Sequence, residues 1–121
     1  SGREAYEAAE PDAVPVISPQ GFASVTTRPG LHIACLEWLR QHDVSALVWD
    51  LMDERPIGYD GFVFGVHLGI PLLGLCLIDN AALDALATAC KEEGRSEFLF
   101  SAMPLRIVGS TGSPCQPVAI F

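Results

Sequence analysis

The segment Ser101–Phe121, SAMPLRIVGSTGSPCQPVAIF, constrains this chain more than any other. It reads as a strand ending in Pro-Leu-Arg, a tight Gly/Ser/Thr/Pro loop, and a second strand that runs to the last residue. Gly109, Gly112, Pro114 and Pro117 make the loop a shaped turn. Gly supplies backbone angles closed to other residues, and Pro fixes φ.

The rest of the chain alternates helix and strand signals. Residues 1–28 read as an extended arm, with Gly2, Pro11, Pro15, Pro19 and Gly21 as breakers and one or two helical turns over Arg3–Ala9. So long a stretch with little structure usually wraps over a partner or forms a lid. The domain proper spans 29–121. After Pro29 and Gly30, Leu31, Ala34, Cys35, Trp38 and Leu39 recur at helical spacing, which predicts a helix over 31–42. Val44–Trp49 is a short branched run, a buried strand. Met52–Gly61 is a polar loop. Phe62–Ile70 suits a helix stopping near Gly69, and Leu72–Ile78 a second buried strand. Asn80 is placed to cap a helix over Ala81–Glu93, with Leu83, Leu86, Ala87 and Cys90 as its apolar stripe and Gly94 as its stop. Strands over Glu97–Met103 and Gln116–Phe121 complete the order. The pattern predicts an α/β fold: a mixed sheet with packed helices.

Charge narrows the partners. Lys and Arg number 7 against 15 Asp and Glu, a net charge of −8. A surface of that sign repels phosphate backbones and anionic lipid, so neither nucleic acid nor a membrane is expected. The longest apolar run, Ile70–Ile78, is too short to span a bilayer. Cys35, Cys76, Cys90 and Cys115 contain no C-x-x-C pair and mostly fall in apolar patterns. They read as buried thiols in a reducing compartment, which implies a cytoplasmic protein.

Three histidines carry the possible chemistry: His32, His42 and His67. His42 ends the first predicted helix, where an imidazole complements the helix dipole, and it reads as structural or exposed. His67 interrupts the apolar stretch F-V-F-G-V-H-L-G-I, and Asp79 follows twelve residues later at the end of a strand. Groups at the carboxyl end of a strand are well placed for a site. Read alone, the two are either such a site or a satisfied core histidine and a helix cap. Arg106 can grip a substrate carboxylate as a bidentate fork or anchor the last strands through an ion pair. Cys115 has no local support as a nucleophile. Trp38 and Trp49 read as core.

Taken together, P-L-R at 104–106, G-S-T-G-S-P at 109–114 and the closing apolar strand resemble the C-terminal signature of the metal-dependent cyclase / kynurenine formamidase family. W-D-L at 49–51 matches that family's strand ending in a site-lining Asp, here Asp50. P-G-L-H-I-A-C-L-E-W-L from Pro29 matches the helix before it. The likeness covers about residues 28–121, some three-quarters of the chain. It implies a cyclase-like α/β fold, of which this chain holds the C-terminal portion. It implies that His67 and Asp79 are ligands of a divalent metal, zinc or manganese, with Asp79 where formamidase-like members often carry Glu. Asp50, Arg106 and His32 are the substrate-pocket candidates.

The family's H-x-G-T-H-x-D motif, which supplies most of the metal ligands, does not occur here. No residue of this chain is therefore assigned as the catalytic base. The expected function is the C-terminal portion of a metal-dependent amide or ester hydrolase acting on a small molecule. The chain alone is expected to be inactive. Its expected partner is the N-terminal half of the same protein or a second chain, in a homo-oligomer. The alternative is a non-catalytic α/β module, derived from that fold, for oligomerisation or ligand binding.

Overall fold

In this computed structural model, residues 2–9, 16–18, 21–23, 30–51 and 65–121 are described. The chain is a mixed α/β protein. Its elements run α1 (Gly2–Ala9), β1 (Val16–Ser18), β2 (Gly21–Ala23), α2 (Cys35–Gln41), β3 (Ala46–Val48), α3 (Gly69–Leu73), β4 (Cys76–Ile78), α4 (Asp84–Glu93), β5 (Leu99–Pro104) and β6 (Cys115–Ile120). A 3-10 turn, Val66–Leu68, leads into α3. The described strands pair two by two: β1 with β2 antiparallel, β3 with β4 parallel, β5 with β6 antiparallel. The chain divides into two compact units, Ser1–Leu83 and Asp84–Phe121. The loop expected over Met52–Gly61 lies outside the described residues, as does half of the 1–28 arm, whose described half forms α1 and the β1–β2 pair.

Among the described residues of the first unit, the core is Leu39, Trp49, Leu51, Val66 and Leu75. Helix α2 starts four residues later than its apolar spacing predicts. The stretch before it forms a turn, with Cys35 N–H donating to the His32 carbonyl at 2.8 Å and Leu36 N–H to that of Ile33 at 3.0 Å. Its inward side is Leu39 with the half-buried Cys35 and Leu36. Trp38, expected in the core, is 56% exposed and stacks on His42, ring centroids 4.0 Å apart. The stack and the His42 Nδ1 contact with the Trp38 carbonyl, 2.9 Å, keep both rings on the outer side. The helix stops at a two-bond cap: Val44 N–H donates to the Leu39 carbonyl and Asp43 N–H to that of Arg40, with Asp43 at φ 50°.

The segment expected to be helical over 62–70 and extended over 72–78 divides elsewhere. The helix runs on to Leu73, and only Cys76–Ile78 is strand. The stop is Gly74, at φ 70°, rather than Gly69. Gly69 serves close packing instead: a Cβ there would sit 3.0 Å from both Leu36 Cδ2 and Leu75 Cδ2. That approach brings α2 against the start of α3.

In the second unit, α4 begins at Asp84 and is followed by Gly94 at φ 65°. That start is three residues later than expected, so Asn80 is not the residue before the helix. Asn80 lies at φ 54° just past β4, and its N–H donates to the Leu51 carbonyl. Helix α4 buries no residue fully; Leu86 and Cys90 are half-buried. Strands β5 and β6 pair in register from Leu99↔Ile120 to Pro104↔Cys115. A proline has no N–H to give its partner. Pro104 and Pro117 therefore stand at pairs without mutual hydrogen bonds, their nitrogens on the outer edges of the hairpin. The connecting loop is tied by Leu105 N–H to Ser113 Oγ, 2.9 Å, and by Ser110 N–H to the Ile107 carbonyl, 3.2 Å. Phe121 packs at 5.3 Å from Phe98, with the Arg95 guanidinium 5.5 Å from its ring centroid.

Candidate functional site

The site is built at the carboxyl ends of the parallel pair. Register aligns Ala46 with Cys76, Leu47 with Leu77 and Val48 with Ile78. The ladder continues past the strands. Trp49 N–H donates to the Ile78 carbonyl at 3.1 Å, Ala81 N–H to that of Trp49 at 2.9 Å, and Asn80 N–H to that of Leu51 at 3.1 Å. Trp49 and Asp79 thus leave the pair at the same level, where aligned residues of neighbouring strands share a face.

Their side chains meet. The Trp49 indole Nε1–H donates to Asp79 Oδ1 at 2.5 Å. The other carboxylate oxygen, Oδ2, lies 3.0 Å from His67 Nε2. His67 comes from the 3-10 turn, anchored by its neighbour Val66, which is wholly buried. The His67 and Asp79 side chains are 28% and 20% exposed. A polar contact with this much solvent contributes on the order of 1 kcal/mol or less to stability. What the arrangement offers is chemistry. A carboxylate beside an imidazole can orient it for proton transfer or share a cation with it.

The other expected site residues stand as follows. Asp50 follows Trp49 at a bend and is half-buried, one residue from the side chain that touches Asp79. His32 is exposed at the entry to α2, where its Nδ1 accepts the Ala34 N–H at 3.2 Å. Arg106 is exposed in the loop after β5, in the second unit, and makes no ion pair with any described residue. Trp49 is the residue that the sequence pattern did not mark as part of the site.

Among the described residues, no three His, Cys, Asp or Glu side chains converge as a metal-binding group. Among them, too, no helix is long and apolar enough to cross a membrane. Comparison with family models, with curated proteins and with solved structures found no match for the chain.

Proposed function

We propose that this chain is the C-terminal portion of a metal-dependent amide or ester hydrolase of the cyclase, kynurenine formamidase-like, kind. In this reading it works in the cytoplasm on a small-molecule substrate, and His67 and Asp79 contribute to a zinc or manganese site. The supporting observation is the separation of His67 Nε2 and Asp79 Oδ2, 3.0 Å. Metal–ligand bonds of about 2.0–2.2 Å put two neighbouring donor atoms roughly 3.0–3.5 Å apart. One neutral-capable nitrogen and one carboxylate oxygen also suit both metals chemically. That spacing suits two donors of one ion, as it also suits a direct hydrogen bond between them.

A bound ion of this kind polarises a carbonyl and lowers the pKa of its water. This chain's share is positional. His67 and Asp79 hold one side of the site, and Asp50 stands one residue past Trp49 as a candidate for the pocket wall. Catalytic zinc is held by about three protein ligands, so the remaining ligands and the proton-transfer group belong to a partner half carrying H-x-G-T-H-x-D. In the assembled enzyme, His67→Ala is expected to lower activity at least tenfold, the smaller effect of disturbing a ligand. Steady-state kinetics with a formamide or ester substrate checks this. Unchanged activity would remove His67 from the site and the reading with it.

A second reading has its own support. Leu99, Met103, Val118 and Ile120 occupy one face of the β5–β6 hairpin and are all exposed, Met103 by 76%. An apolar row of this size is what an oligomerisation module presents. If the assembled protein neither binds metal nor hydrolyses amides or esters, this reading takes its place.

A further inference from the structure

We propose that Trp49 is the positioning residue of the His67–Asp79 pair. Its indole N–H holds Asp79 Oδ1 and so commits the carboxylate to His67 through Oδ2 alone. The inference goes beyond the hydrolase reading and stands without it.

Three observations carry it. First, Trp49 is 7% exposed, and a buried indole N–H, which can only donate, has to find an acceptor. The acceptor is Asp79 Oδ1. Second, a free carboxylate turns about its last bond and exchanges its two oxygens. With Oδ1 held by the indole and Oδ2 beside His67 Nε2, both oxygens have fixed roles. Third, the indole is itself mounted rigidly. The Trp49 backbone N–H is bonded to Ile78 and its carbonyl to Ala81, on both sides of Asp79 in the chain. The same ladder that aligns the strands therefore aims the carboxylate. Whatever cation or proton the pair handles meets one oxygen of Asp79 and one nitrogen-bearing edge of His67.

The chain supplies its own controls: a second, exposed tryptophan, Trp38, and two further histidines, His32 and His42. The test is nuclear magnetic resonance of the 15N-labelled chain without metal. In the unmodified protein the Trp49 indole proton is expected well downfield of that of Trp38. Asp79→Asn should move the Trp49 indole resonance toward that of Trp38 and leave Trp38 in place. Trp49→Phe keeps a buried ring and removes only the donor. It should shift the imidazole resonances of His67 while those of His32 and His42 stay. A merely space-filling tryptophan predicts no such selective shift. Coincident indole protons in the unmodified protein overturn the proposal even if neither variant folds. So does a Trp49 indole unmoved by Asp79→Asn, or a His67 ring unmoved by Trp49→Phe.

Discussion

At the scale of single residues, Gly74 and Gly112 form a natural comparison. A Cβ at either would meet nothing within 4 Å, but only Gly74 lies at positive φ, 70°. An L-residue pays roughly 1–2 kcal/mol for that backbone conformation. Gly74→Ala is therefore expected to destabilise the first unit by about 1 kcal/mol, and Gly112→Ala to stay within about 0.5 kcal/mol of the parent. Urea melts of the two variants measure the difference. Equal midpoints would show that space, not backbone angle, governs both positions. At this same scale His67 and Asp79 were legible in the sequence. An ionisable group inside an apolar run, and an Asp at a strand end twelve residues on, are visible one residue at a time. Trp49 was not. Its apolar neighbours mark it as core, which it is, and its one polar atom finds a partner thirty positions away. Nothing local announces such a contact.

Among the elements, the β5–β6 hairpin is the clearest case of a sequence that restrains its own growth. Pro104 and Pro117 each remove a donor from an outer edge, one on each strand, and a missing donor discourages another strand from adding there. Pro117→Val restores that N–H and keeps a branched side chain suited to a strand. The variant is expected to self-associate more strongly than the parent, and sedimentation velocity across a concentration series measures it. Identical profiles would mean that the edge is guarded by something else. The strands from β3 to β6 were readable, because short branched runs between Gly and Pro have few other uses; the β1–β2 pair, inside the stretch read as irregular, was not. Element ends were less so. Asn80 looks like a cap because Asn before an apolar run usually is one. The helix instead starts at Asp84, while the Asn80 N–H donates to the Leu51 carbonyl, in the bend after β3. Helix α3 starts at Gly69 instead of stopping there, and that residue serves by its missing side chain, under Leu36 and Leu75, rather than by its backbone freedom.

For the whole molecule, the apolar row on the hairpin and an apolar content of 50% imply surface that water does not favour. The chain is expected to associate with itself or with a partner half. Light scattering checks this, and a homogeneous particle of 13.0 kDa would overturn it. The two strand pairs also differ in how they close. Strands β5 and β6 are joined by residues 105–114, whereas β3 and β4 are separated by residues 49–75. Each doubling of a closing loop costs only about 0.6 kcal/mol in entropy, so at equilibrium the two pairs differ little on this account. In time they differ more, since contacts between distant residues are slow to find. His67, Asp79 and Trp49 come together only when the distant pair has closed. Whatever the site does, it exists only once that long-range closure has been made.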